Sequence, residues 1–111
     1  MEVFRGGARL ATLTVAAIQS LPSTTAEAGG ESKAGPTLRS VLKAAGVSSF
    51  RKVTVFGVFR GRVAEGEITL RDDEVTDQVV LTQNQRGEWR LFAPSVTSEQ
   101  WIVDVKRLSV E

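Results

Sequence analysis

The chain has 111 residues, 41% of them hydrophobic and 24% charged, and its 14 basic and 13 acidic residues give a net charge of +1. This size and composition are typical of a single soluble globular domain covering 1–111. The balanced charge does not favour a nucleic-acid-binding protein, which normally carries a strongly basic surface. No apolar run approaches the roughly 18 residues that a membrane span needs, and the residues after Met1 do not resemble a signal peptide. The sequence does not indicate a cellular compartment.

The chain contains no cysteine, histidine or tyrosine. Histidine is the usual proton shuttle at neutral pH, and the cysteine thiolate is the usual soft-metal ligand and strong nucleophile. Their absence excludes Ser-His-Asp and Cys-His catalysis and ordinary zinc, haem and iron–sulfur sites. The composition therefore favours a non-catalytic binding or interaction domain. An enzyme that uses only carboxylate, Lys and Arg chemistry is a remote alternative.

The chain begins with the pattern of a β-hairpin. Val3-Phe4 and Arg9–Leu13 are predicted strands, and Gly6-Gly7 between them predicts a tight turn. Thr14 is then placed to cap a short helix over Val15–Leu21, because its hydroxyl can accept a hydrogen bond from a free amide of the first helical turn.

The segment Ser23–Gly35 consists of Ser, Thr, Ala, Gly and charged residues, with Gly29-Gly30 near its middle. It lacks periodicity, which predicts a flexible loop. A strand near Thr24–Ala28 is the alternative left open within it.

A second helix is predicted over Thr37–Ala45. Four apolar residues recur at helical spacing and form one face, namely Leu38, Val41, Leu42 and Ala45. Pro36 precedes the helix, and Gly46 follows it at the place of a left-handed cap.

The rest of the chain has a β pattern. The predicted strands cover Val53–Phe59, Glu67–Leu70, Val79–Thr82, Glu88–Ala93 and Gln100–Val110. Gly57 predicts a bulge or a close approach of two chains, and a phase shift in the last strand predicts a bulge near Lys106. The expected fold class is α+β, with a mixed or barrel-like sheet and two short helices.

Several short motifs resemble the sulfite-oxidase-like molybdopterin-binding family. Leu13-Thr14 before a helix that ends at Leu21-Pro22 is similar to that family's opening. Gly35–Leu38 with Val41–Val47 resembles its GVPL..LL..AGV helix, and Leu91–Pro94, followed by Trp101–Val103, resembles its LVVPG…KWV segment. The resemblance covers almost the whole chain and implies a sulfite-oxidase-like topology.

The resemblance also implies what this chain lacks. Enzymes of that family bind molybdenum through a cysteine after the first helix, and the matching segment Ser23–Gly35 has none. The family's phosphate-holding loop matches Ser95–Gln100, where Gln100 replaces an expected lysine. The implied function is a non-catalytic module that binds a small anionic or pterin-like ligand without a metal cofactor.

The candidate ligand site combines that polar loop with nearby guanidinium groups. Ser95, Thr97 and Ser98 could hold an anion through hydroxyls and backbone amides. The arginines near the predicted turns would form its rim, namely Arg60, Arg62 and Arg90, with Arg86 beside them. The ordinary alternatives are a solvated polar loop and charges that protect strand edges from aggregation.

Two further features have competing interpretations. Asp72, Asp73, Glu74 and Asp77 are the one carboxylate cluster, and without a calcium-loop pattern they indicate a solvated acidic turn. Trp89 is either an exposed stacking residue or a cross-strand packing residue. The second functional hypothesis is a protein-interaction domain that binds through a sheet edge or through the 23–35 loop.

Overall fold

The structure is a computed structural model that describes residues 1–28, 30–59, 65–83, 87–93 and 102–111. The elements in chain order are β1 (Glu2–Arg5), β2 (Ala8–Thr12), α1 (Val15–Gln19), β3 (Thr24–Ala28), β4 (Glu31–Gly35), α2 (Leu38–Ala44), β5 (Lys52–Phe59), β6 (Glu65–Arg71), a 3₁₀ turn (Asp72–Glu74), β7 (Val80–Gln83), β8 (Trp89–Phe92) and β9 (Ile102–Val110). This is a small α+β domain, as the composition and patterns predict.

The main sheet has the order β2-β1-β9-β5-β6 among the described strands. β1 and β9 are parallel, and the other neighbours are antiparallel, so the sheet is mixed. The sheet is open, with β2 and β6 at its ends, and the described strands do not close a barrel. The mixed sheet is confirmed, whereas the barrel-like form of the prediction is not.

The first hairpin and α1 form for the reasons visible in the sequence. Gly6 and Gly7 both have positive φ, +57° and +84°, which is the backbone that a tight two-residue hairpin turn requires. The Thr14 hydroxyl accepts a hydrogen bond from the Ala17 amide at 3.1 Å. The helix ends at Gln19, two residues earlier than predicted, and Ile18 is its buried residue.

The second helix is confirmed together with its predicted Gly46 cap, and Thr37, which is predicted to be helical, is instead the N-cap. Thr37 accepts a hydrogen bond from the Ser40 amide at 3.1 Å, and Gly46 has the left-handed φ of +93°. All four residues of the predicted apolar face are buried. That face joins the main hydrophobic core, which includes Val53, Val55 and Leu70 from the sheet.

The predicted loop over Ser23–Gly35 is wrong for most of its length. Thr24–Ala28 and Glu31–Gly35 pair as antiparallel strands, which confirms the alternative strand and adds a second one. The hairpin forms because Ala26 packs with Val80 and Phe92 in a small separate apolar cluster. The mobility of this segment stays a prediction.

The last strand contains the predicted bulge. Arg107 pairs with Phe56 and Val105 with Gly57, so Lys106 is the extra residue. A Cβ atom on Gly57 would collide with the carbonyl oxygen of Asp104 on the neighbouring strand. The absence of a side chain at Gly57 therefore permits the close approach that the bulge requires.

Candidate functional site

The strand β6 lies at one end of the main sheet. It pairs with β5 over its whole length, from Lys52 opposite Arg71 to Val58 opposite Glu65, without a shift of register. No described strand pairs with its other edge. Among the described residues, β6 therefore forms one of the two edges of the main sheet.

The backbone of β6 shows which residues face that edge. Lys52 and Glu111 exchange backbone hydrogen bonds of 3.3 and 3.0 Å, so the polar backbone groups of Lys52 are directed away from β6. Arg71 is opposite Lys52 and accordingly donates its amide to the Glu74 carboxylate at 3.0 Å. Because antiparallel pairs alternate in hydrogen bonding, the amides and carbonyls of Glu65, Glu67 and Thr69 are also directed away from β5.

The side chains of β6 separate by face. Glu65, Glu67, Thr69 and Arg71 are exposed on the outer face of the sheet, whereas the alternate residues are partly or fully buried. The Thr69 hydroxyl contacts that of Thr54 across the strand pair at 3.0 Å. The sequence predicts this alternation through Ile68 and Leu70, but it does not indicate that β6 lies at an edge.

The acidic turn after β6 is solvated, which confirms that interpretation. Asp72, Asp73 and Asp77 are exposed, and Arg71 Nε lies 3.4 Å from a carboxylate oxygen of both Asp73 and Glu74. No group of acidic side chains among the described residues is arranged to hold a metal ion.

The outer face of the main sheet also carries aromatic and charged residues together. The Arg107 guanidinium lies 4.4 Å from the centre of the Phe56 ring, a cation–π contact. At the bulge, Lys106 Nζ lies 2.7 Å from the Asp104 carboxylate. The hydrogen bond and the charge of Asp104 raise the pKa of Lys106.

Of the predicted ligand site, one residue lies within the described part of the chain. Arg90 is exposed on β8 opposite Thr82 and makes no ion pair with a described residue. The other predicted site residues, Ser95, Thr97, Ser98, Arg60 and Arg62, with Arg86 and Gln100, lie outside the described residues.

Trp89 belongs to the packing of the protein. Its side chain is buried and joins the main hydrophobic core. The hypothesis of an exposed stacking residue is therefore wrong, and the packing alternative is confirmed. The neighbouring Arg90 points to the opposite face of β8 because side chains alternate along a strand.

No described helix is long and apolar enough to cross a membrane. Comparison of the chain with protein-family models, with curated proteins and with solved structures finds no match.

Proposed function

We propose that this chain is a non-catalytic binding module that binds an extended segment of a partner protein along the outer edge of β6. The observation that carries the proposal is the row of outward-directed backbone groups at Glu65, Glu67 and Thr69, with no described strand opposite. Such a row pairs readily with an extended chain, which gains main-chain hydrogen bonds as an added strand.

Comparison with the other strand ends supports β6 as the binding edge. β2 is five residues long, and its register with β1 shifts between Val3 and Phe4, an irregularity of the kind that blunts an edge. On β3, the Glu27 amide inside the strand is occupied by the Gln78 side chain at 3.0 Å, whereas on β6 the occupied amide is that of the last residue, Arg71. β6 is longer, contains no proline or lysine, and pairs with β5 in regular register.

The test uses a proline substitution at a position that faces the edge. Glu67→Pro removes an outward-directed amide and no hydrogen bond to β5, so the sheet should be retained. Glu67→Ala is the matched control, because it removes the same charge and keeps the amide. Circular dichroism and thermal unfolding establish that both variants are folded.

Peptides selected from a random library on the wild-type protein provide the probe. We expect peptides that bind the wild type and E67A alike, and that bind E67P at least about tenfold more weakly, measured by fluorescence polarisation. Selected peptides that all bind E67P as tightly as the wild type would contradict the proposal, because the edge would then not be their site.

A second candidate function is binding of a small anionic or pterin-like ligand without metal, in a sulfite-oxidase-like topology. Its support is the exposed guanidinium of Arg90 on the strand that leads toward the Ser95–Gln100 segment. Thr14 and Thr37 also cap the helices that the family motifs predict.

The probe for this second function is a phosphorylated pterin, titrated by calorimetry. Arg90→Ala should weaken binding by the roughly 1.5–3 kcal/mol of a hydrogen bond to a charged group. Arg9→Ala, on β2 at one end of the main sheet, should leave it unchanged. Equal binding by the wild type and R90A would exclude Arg90 from the site.

A further inference from the structure

We infer that the segment paired with the edge of β6 is β6 of a second copy of this chain, so that the two main sheets join into one across a two-fold axis. This inference rests on the proposed function of the edge. It is carried by the residue order Glu65-Gly66-Glu67-Ile68-Thr69-Leu70-Arg71, which is complementary to itself when reversed.

The directions of the backbone groups limit the register of this pairing. Glu65, Glu67 and Thr69 face the edge, so an antiparallel pair must place these residues opposite one another. An axis at Ile68 places Glu67 opposite Thr69 of the partner subunit. The register centred on Glu67 places two like charges opposite each other. The register centred on Thr69 pairs only residues 67–71 and leaves Glu65 without a strand residue opposite it.

The chosen register also pairs opposite charges on the exposed face. Glu65 comes opposite Arg71 of the partner subunit, and the symmetry repeats this pair. Arg71 is 72% exposed, and its ion pairs with Asp73 and Glu74 are both 3.4 Å long, so the guanidinium remains accessible to another carboxylate.

The opposite face of the strand supplies apolar contact. Ile68 is partly buried and packs against the main core. At the axis it meets Ile68 of the partner subunit, in a pair without main-chain hydrogen bonds, where side chains approach most closely. Gly66 comes opposite Leu70 of the partner subunit, a residue whose side chain is buried in its own core and so does not obstruct the pairing. Both faces of the strand therefore match in this register.

The first test exchanges charges at the two ends of β6. In a dimer of Glu65→Arg, two arginines face each other at both contacts between positions 65 and 71. In a dimer of Arg71→Glu, two carboxylates face each other at the same contacts. A mixture of the two variants restores one opposite-charge pair at each contact of a heterodimer. We expect sedimentation velocity to show a concentration-dependent wild-type dimer, about tenfold or more weaker association of each variant alone, and recovery in the mixture.

The second test uses the absence of cysteine from the chain, which makes an introduced thiol unique. In the inferred register, the Cα atoms at position 68 face each other at about 4.5 Å, within the range for a disulfide. We expect Ile68→Cys to form an oxidised dimer much faster than the control Leu10→Cys on β2. Faster cross-linking of Glu67→Cys than of I68C would overturn the register.

The outcomes separate this inference from the proposed function. A wild-type protein that stays monomeric, yet binds library peptides in a manner sensitive to E67P, overturns the second copy as the occupant and leaves the edge function standing. A monomeric protein without such peptides overturns both. A dimer that E65R, R71E and E67P leave unchanged places the contact elsewhere and also overturns the inference.

Discussion

The main sheet and the β3–β4 hairpin are held in place by different interactions. In the sheet, buried side chains alternate along the strands, as Val53 and Val55 do on β5 and Leu108 and Val110 do on β9. The hairpin contacts the rest of the protein through one buried side chain, Ala26, and through a close backbone contact between Gly35 at its end and β7. Between the hairpin and α2, the Leu81 amide donates to the Pro36 carbonyl at 2.9 Å, and the Leu38 amide donates to the Val79 carbonyl at 2.9 Å.

This difference explains why the sequence pattern predicts the strands of the main sheet but not the β3–β4 hairpin. Alternating burial leaves a period of two in the sequence, because one face of each strand must be apolar. Backbone contact between segments distant in the chain needs no particular side chains and leaves no such period. The local sign of such a contact in the sequence is a glycine. Here it is Gly35, where a Cβ atom would collide with the Leu81 carbonyl oxygen.

The largest expected losses of stability come from adding a side chain at one glycine of the main sheet and at one glycine of the hairpin. Gly57→Ala and Gly35→Ala each place a Cβ atom against a backbone oxygen that cannot rotate away, that of Asp104 or Leu81. We expect each variant to lose more than about 3 kcal/mol of unfolding free energy, beyond the usual cost of overpacking. Urea unfolding measures the loss.

The control for these glycines is Gly46→Ala. Gly46 has a φ of +93° and nothing within 4 Å of the added carbon, so only backbone strain opposes the substitution. Its expected cost is about 1–2 kcal/mol. If G35A costs no more than G46A, the close contact between β4 and β7 does not hold the hairpin.

The same contrast sets how much of the molecule could be predicted from the sequence. Both helices, the Thr14 cap, the Gly46 cap and the bulge at Lys106 were predictable, because each depends on a few neighbouring residues. The β3–β4 hairpin was not, because its small apolar cluster draws Val80 and Phe92 from far along the chain.

The candidate site shows the same limit. The sequence predicts β6 and its exposed face, and it offers a sheet edge as one binding surface. It does not say which strand is last in the sheet, because that depends on β9 inserting between β1 and β5. The spacing of Glu65 and Arg71 becomes meaningful only once β6 is known to be an edge.

A prediction of intermediate size compares the stability that a buried side chain contributes with the stability that an exposed one contributes. Leu42 lies on the buried face of α2 and is fully buried in the main core, so Leu42→Ala should cost about 2–5 kcal/mol. Leu10→Ala makes the identical change at a residue that is 44% exposed on β2, and should cost within about 0.5 kcal/mol. Similar losses in urea for both variants would contradict the assignment of α2 to the core.

The smallest expected effect concerns the bulge of β9 at Lys106, where a charged pair supplements burial. The Asp104 carboxylate raises the pKa of Lys106 above the ordinary 10.5, so the protonated amine is favoured in the folded state. The stabilisation is therefore complete below pH 10.5 and is lost as the pH rises through the higher folded-state pKa.

Lys106→Met should accordingly lower the unfolding free energy near neutral pH, and the difference from the wild type should shrink above pH 10.5. Because Lys106 is half exposed, solvent screens the pair and the loss should be small. Lys33→Met, on the exposed hairpin strand, controls for the general loss of a positive charge. A difference that grows with pH would reverse the sign of the linkage, and the Asp104 contact would then favour the neutral amine.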